Sequence, residues 1–242
     1  MSLVGRGQPF LHGLGRQARE ELLGLGAERR FAAQEHLLRE NDEGSHVLVI
    51  LNGWAVVSTA TERASSRLIL ALRGPGELVG EMAMLDGSPR SATITALGPL
   101  SARVIMSERF RRFVAGTPQA NGLLMAQLAA RLRSADEERR SLASLTVLQR
   151  LAERLLELPA VGPSNGRYGT GNSEAQVVLV DLAQHDLADA VGATREAVAK
   201  ALRLLRDADV VRTGQRRIEL VDPGVLRLLA SGGSFDFRSR TS

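Results

Sequence analysis

Two stretches of this chain hold side chains with recognisable chemistry. In Pro75–Ile94, PGELVGEMAMLDGSPRSATI, a carboxylate (Glu81) and a guanidinium (Arg90) stand nine residues apart among glycines, a proline and small hydroxyls. An acceptor and a forked cation in so loop-rich a setting either neutralise one another or attend to something else, and the residues alone leave both open. In Leu182–Leu205, LAQHDLADAVGATREAVAKALRLL, helical spacing puts Arg195, Glu196, Ala199, Lys200 and Arg203 on one face. Arginine can grip guanine O6 and N7 with two hydrogen bonds and glutamate can accept from cytosine N4, each good pair discriminating by roughly 1–3 kcal/mol. Lys200, the only lysine in the chain, falls on that face. An ordinary solvated i,i+4 pair with Glu196 is the alternative.

The elements that must position these groups change in character along the chain. Gln17–Leu25 has helical spacing. Short β runs follow at Phe31–Ala33, Val47–Leu51, Ala55–Thr59, Arg67–Leu72, Ala92–Thr95 and Ala102–Ile105, separated by turn residues such as Asn52-Gly53. Such spacing predicts an antiparallel sandwich or barrel. From Ser107 the pattern is helical. Thr117 and Pro118 open a long helix reaching about Ser144. Its stripe Met125, Leu128, Leu132, Ala135, Arg139 and Leu142 steps by three and four, the seam of a helix pair, with heavily charged flanks. A helix over Leu145–Leu158, a loop over Val161–Ser173 and a strand over Gln176–Val180 follow.

Within Leu182–Leu205, Leu187, Ala188 and Val191 face inward from a first helix. Gly192-Ala193 makes the turn, and Thr194 caps a second helix whose inner face is Ala197, Val198, Ala201, Leu202 and Leu205. This is the helix-turn-helix pattern. The following VVRTGQRRIELV reads as a two-stranded wing carrying Arg212, Arg216 and Arg217, suited to phosphate contacts.

Composition narrows the function classes. With no cysteine among 242 residues, disulfides, thiolate metal sites and cysteine nucleophiles are excluded. The four histidines are scattered without ligand spacing, so no metal site is expected. No nucleophile-and-base set is apparent, so no catalytic residue is assigned and the chain reads as a non-enzyme. No apolar run is long enough for a membrane span, and the N-terminus lacks a signal-peptide core; a cytoplasmic protein without a membrane partner is expected. The formal charge of +4 is compatible with nucleic acid.

With these motifs in this order, the chain from about Phe31 to Leu220 resembles the cyclic AMP receptor protein/FNR family of bacterial transcription regulators. PGELVGEMAMLDGSPRSA is similar to that family's phosphate-binding cassette and GATREAVAKAL to its recognition helix. The resemblance implies an α+β fold: an N-terminal antiparallel β-roll (a jelly-roll cyclic-nucleotide-binding domain, 1–116), a long dimerisation helix (117–144) and a C-terminal winged helix-turn-helix domain (145–242). It implies that Arg90 and Ser91 would hold the phosphate of a cyclic nucleotide, Gly80 would admit the backbone close by, and Glu81 would accept from the ribose 2′-hydroxyl, with Met82 and Leu72 packing nearby. Ala135 and Asp136 stand where cyclic AMP-responsive members offer a threonine–serine pair to the adenine. Ala135 has no hydrogen-bonding group, and Asp136 suits guanine N1–H and N2–H as well as adenine N6. Thr194, Arg195, Glu196, Lys200, Arg203, Arg212 and Arg216 would meet double-stranded DNA.

The resemblance thus implies a homodimeric regulator needing no cofactor, with cyclic AMP first among effectors and RNA polymerase a further partner. The alternative is a regulator of the same fold that is ligand-independent, or responsive to cyclic GMP or a cyclic dinucleotide.

Overall fold

The computed structural model describes residues 8–60, 67–158, 176–178, 184–214 and 217–237. The chain divides into two compact units, the first ending at Ser134 and the second beginning at Ala135.

The first unit opens with α1 (Phe10–Gly13) and α2 (Arg16–Gly24). Strands β1 (Ala27–Phe31), β2 (His36–Leu38), β3 (His46–Asn52), β4 (Ala55–Ala60), β5 (Arg67–Arg73) and β6 (Leu78–Val79) follow, then the short helix α3 (Glu81–Asp86). Next come β7 (Thr93–Ala96), β8 (Leu100–Met106), α4 (Ser107–Gly116) and α5 (Pro118–Ser144), the last running on into the second unit. The strands form two four-stranded sheets, β1-β8-β3-β6 and β2-β7-β4-β5, antiparallel throughout. The spacing of short strands predicts an antiparallel sandwich or barrel, and the family resemblance implies the roll that is seen.

Strand β3 is buried from Val47 to Ile50, which explains its unbroken apolar run. One side of the roll is filled by Phe31, Leu38, Leu48, Ile50, Val79, Ile94 and Ala102. A second cluster joins Val47, Val49, Leu78 and Ile105 to Phe10, Leu22, Phe110, Ala120 and Leu124, so the flanking helices close the roll. Ring centroids of Phe10 and Phe110 lie 5.9 Å apart and those of Phe110 and Phe113 6.3 Å apart, within the favourable range for tilted aromatic pairs.

The long helix differs from its sequence reading in one respect. Leu128 packs on the second cluster instead of sharing the open stripe. Met125, Leu132 and Leu142 are exposed, so the stripe splits into a roll-facing row and a solvent-facing row.

The second unit contains the end of α5, α6 (Val147–Glu157), β9 (Gln176–Val178), α7 (Gln184–Val191), α8 (Arg195–Asp207), β10 (Val211–Gly214), β11 (Arg217–Leu220) and α9 (Pro223–Ala230). Thr146 caps α6 through a capping box with Gln149, and Asp222 caps α9. Helix α6 packs against α7, α8 and α9, burying Leu151, Ala152 and Leu155. Strands β10, β11 and β9 form an antiparallel sheet in that order. The second unit is therefore a winged helix-turn-helix domain. No helix among the described residues is long and apolar enough to cross a membrane.

Replacing Phe110, fully buried between two rings, by alanine is expected to lower unfolding free energy by about 3–5 kcal/mol in urea titration. A loss under about 1 kcal/mol would mean the helices do not close this core.

Candidate functional site

Glycine 80 sits at the hinge between β6 and α3 with φ +82°, a conformation that glycine adopts without strain. A Cβ there would lie 2.7 Å from Arg90 Nη1 and 2.9 Å from Leu38 Cδ1, so the absent side chain makes room for the arginine. Arg90 is 4% exposed. Its Nη1 donates to the Gly80 carbonyl at 2.7 Å, and its Nη2 donates to the His46 carbonyl. Its own backbone is pinned to the 41–42 loop by Asn41 N to Arg90 O at 2.9 Å and Arg90 N to Asp42 O at 2.8 Å. Burial holds the Arg90 guanidinium below the ordinary arginine range, while Glu81 and Asp42 pull the other way.

Glu81 opens α3 and is completely buried. It does not pair with Arg90. Its Oε1 accepts from Arg131 Nη1 on α5, and its Oε2 is buried without a hydrogen-bond partner. Arg131 Nη2 also donates to the Leu78 carbonyl at 2.7 Å, and Gln127 Nε2 reaches that carbonyl at 3.2 Å. Two side chains of α5 thus grip the β6–α3 corner that carries Glu81.

The other residues picked from the sequence are placed as follows. Leu72 is buried, whereas Met82 is 47% exposed. Ser91 is exposed, its hydroxyl 3.9 Å from the Met82 sulfur. Ala135 and Asp136 are exposed on α5 in the second unit, and Asp136 accepts from Arg139 at 3.4 Å. The structure therefore gathers Gly80, Glu81 and Arg90 into one buried seat and leaves Met82 and Ser91 outside it in the same unit.

Sequence reasoning missed Arg131, Gln127 and Arg73. Arg131 was legible only as one more charge on a charged helix. Arg73 had a signal, a cation closing the apolar run LILAL before Gly74. It is 9% exposed, donates from Nη1 to the Leu72 carbonyl at 2.9 Å and lies 3.7 Å from Glu77. Burial pushes its guanidinium down to about 10, with Arg131 acting in the same direction and Glu77 and Glu81 against.

In the second unit, α7 and α8 meet at Gly192, φ +63°. Thr194 Oγ1 accepts from Ala197 N at 3.2 Å, the cap expected from sequence. Val198, Ala201, Leu202 and Leu205 are buried on the inner face of α8. Arg195, Glu196, Lys200 and Arg203 are exposed on the other. Glu196 is held below the usual carboxylate range by its own backbone amide and the Thr194 hydroxyl, so it stays an acceptor at neutral pH. On the wing, Arg212 is exposed and lies 3.3 Å from Asp209. Arg216 lies outside the described residues, and Arg217 belongs to β11. Arg206 Nη1 donates to Thr213 Oγ1 at 3.3 Å, linking helix to wing.

Two further arginines, unforeseen from the sequence, fix the turn. Arg154 is 5% exposed, and its Nε donates to the Ala190 carbonyl at 2.8 Å. Arg150 donates to the Val191 carbonyl at 2.8 Å and the Leu145 carbonyl at 2.6 Å. They satisfy carbonyls that the end of α7 leaves open and so set where α8 begins.

Comparison with known proteins matches residues 28–117 to the cyclic nucleotide-binding domain and residues 149–229 to the Crp-like helix-turn-helix domain. The chain is 30% identical over 227 residues to the cyclic AMP receptor protein of Thermus thermophilus, spanning 94% of this chain and 99% of that one. It is 30% identical to the CRP-like cAMP-activated global transcriptional regulator of Mycobacterium tuberculosis, over 74% of this chain and 75% of that one. In fold it is similar to the c-di-GMP responsive global regulator CLP of Xanthomonas campestris, with a TM-score of 0.71 at 21% identity, over 85% of this chain and 99% of that one. Both domain matches lie in this order along the chain, and the chain belongs to the cyclic AMP receptor protein/FNR family of bacterial transcription regulators.

Proposed function

We propose that the protein is a homodimeric, sequence-specific DNA-binding regulator gated by a cyclic nucleotide in the roll. The observation that carries this reading is the buried seat where Arg90 packs on Gly80 next to the buried Glu81. A cyclic nucleotide brings one phosphate charge and one ribose hydroxyl. Arg90 is the cation for the first, and the partnerless Glu81 Oε2 is the acceptor for the second. Ser91 adds a hydroxyl and an amide, with Met82 beside it. Cyclic AMP is the first candidate because relatives are named for it. These groups bind and orient; none is placed to attack, so the reading is of a receptor and not an enzyme, needing no cofactor.

Residues 1–116 sense, 117–144 pair with a second copy and 145–242 dock on DNA, in the cytoplasm. The exposed row Met125, Leu132 and Leu142 is the seam for the second copy, and Ala135 and Asp136 on the same helix would meet the ligand's base. A dimer presents two recognition helices, and only a separation near one duplex turn, about 34–36 Å, lets both enter successive major grooves. Thr194, Arg195, Glu196, Lys200 and Arg203 meet one half-site, with Arg212 and Arg216 toward phosphates. Bound ligand acts by favouring the competent spacing, and RNA polymerase is the further partner of such a regulator.

One observation favours a second reading, a ligand-independent regulator of the same fold; a regulator responsive to cyclic GMP or a cyclic dinucleotide is the further alternative. The protein's own groups already engage the charged atoms, Arg90 on two carbonyls and Glu81 on Arg131.

Calorimetry with cyclic nucleotides tests the sensing half. Arg90→Ala is expected to weaken cyclic nucleotide binding by about 100-fold or more, since a charge-assisted pair is lost, while the circular dichroism spectrum is kept. Unchanged affinity would remove Arg90 from the site. For the docking half, Arg195→Ala is expected to relax preference at one base pair of each half-site by about 1–3 kcal/mol in competition binding. Uniform weakening across sequences would make Arg195 a phosphate contact.

A further inference from the structure

Helix α3, which opens with Glu81, is six residues long. So short a helix does not hold itself together in water, and its place is set by what grips it. Its outer face contributes little, because Met82 and Leu85 are exposed. Its first end is held from α5, by Arg131 on Glu81 and by Arg131 and Gln127 on the Leu78 carbonyl. Its other end is held from α4. Arg111 donates from Nε at 3.1 Å and from Nη2 at 2.6 Å to the Met84 carbonyl, one of the acceptors that a helix end leaves open.

A loop presses on the middle of α3. A Cβ on Gly44 would lie 2.5 Å from the Ala83 Cβ, so only glycine lets the two segments touch as they do. The Gly44 carbonyl accepts from Ser107 Oγ at 3.1 Å, and the Ser45 carbonyl accepts from Ser107 N at 3.0 Å. The first residue of α4 therefore fixes the loop that meets α3, and one turn later Arg111 takes α3 itself. Arg90 is held by other means, through the Asn41 amide and the Asp42 and His46 carbonyls. The brace on α3 thus bears on Glu81 more than on Arg90.

We propose that Arg111 is a positioning residue of the sensing seat: by holding the far end of α3 it aims the partnerless Glu81 Oε2 at the ribose hydroxyl of the bound nucleotide. This role rests on the cyclic-nucleotide reading given above and deepens it. Among the described residues Arg111 bonds only to Met84, so it acts through the helix. A hydrogen bond weakens steeply with misalignment, and a loosened α3 loses the ribose contact while the phosphate contact stays.

The experiment compares cyclic AMP with 2′-deoxy-cyclic AMP, which lacks that hydroxyl, by calorimetry on the full chain and its variants, each checked as folded by circular dichroism. The native chain is expected to bind cyclic AMP about tenfold or more tighter than the deoxy analogue. Arg111→Met should weaken cyclic AMP to about the level of the analogue and change the analogue itself less than about threefold. Arg111→Lys, which keeps the charge and loses the fork, should fall between. Arg112→Met is the control, since Arg112 pairs with Glu108 at the surface, and it should change neither nucleotide. Gly44→Ala should narrow the ratio from the other side of α3, and adding Ala83→Gly should widen it again. Arg111→Lys and the Gly44 pair keep the test open even if Arg111→Met does not fold. If Arg111→Met weakens both nucleotides alike, or Gly44→Ala leaves the ratio unchanged, or the native chain does not distinguish the two, the positioning role is overturned. The receptor reading then survives so long as Arg90→Ala abolishes binding. If no nucleotide binds, both fall together.

Discussion

The ion pair between Glu81 and Arg131 is the contact on which the β6–α3 corner of the first unit depends. Glu81 is wholly buried, and a carboxylate so placed must be met by a cation or lose its charge. The cation comes from the long helix, 50 residues on in the chain, so the corner that would hold a ligand and the helix that leads out of the unit cannot move independently. Removing one partner of such a pair leaves a stranded charge, at a cost of about 3–5 kcal/mol. Arg131 and Gln127 both also hold the Leu78 carbonyl, which ties the helix to the backbone as well as to the carboxylate. A ligand hydroxyl offered to Glu81 Oε2 would alter the charge balance of this pair, and that is a physical route from pocket to helix.

Arginine does the equivalent work in the DNA-docking unit. Arg150 and Arg154 finish the hydrogen bonding of α7 from the side, and Arg206 ties α8 to the wing. The recognition helix is thereby held at its beginning by Thr194 and behind its turn by two guanidiniums, while its outer face stays free of structural duty. That division suits a reading head, because side chains that meet base edges must not also be needed for folding.

Much of this was legible in the sequence. The turn residues and short apolar runs point to an antiparallel sandwich or barrel, and glycine at 192 with threonine at 194 to the helix-turn-helix, because in each case one local rule acts alone. The edges were harder. β1, AERRF, has four exposed residues, so it shows no alternation, and β6 is two residues long. The sequence singles out Glu81 and Arg90 but not the groups of the protein that they touch. Arg90 turned out to be bonded to backbone carbonyls and Glu81 to a helix 50 residues away, and no sequence pattern reports a long-range pairing between two charges. Leu128 was placed on the open stripe because a period of 3.5 cannot tell which of two neighbouring rows faces the roll.

If the pocket and the reading head are linked through the long helix, their binding must be reciprocal. The decisive measurement is fluorescence anisotropy of a palindromic duplex at fixed salt, titrated with protein in the presence and absence of saturating cyclic nucleotide, for the native chain and for Arg131→Met. The account predicts that nucleotide tightens DNA binding by about tenfold or more, that duplex tightens nucleotide binding by the same factor, and that Arg131→Met brings the factor close to one. Saturable nucleotide binding with no change in DNA affinity would contradict it.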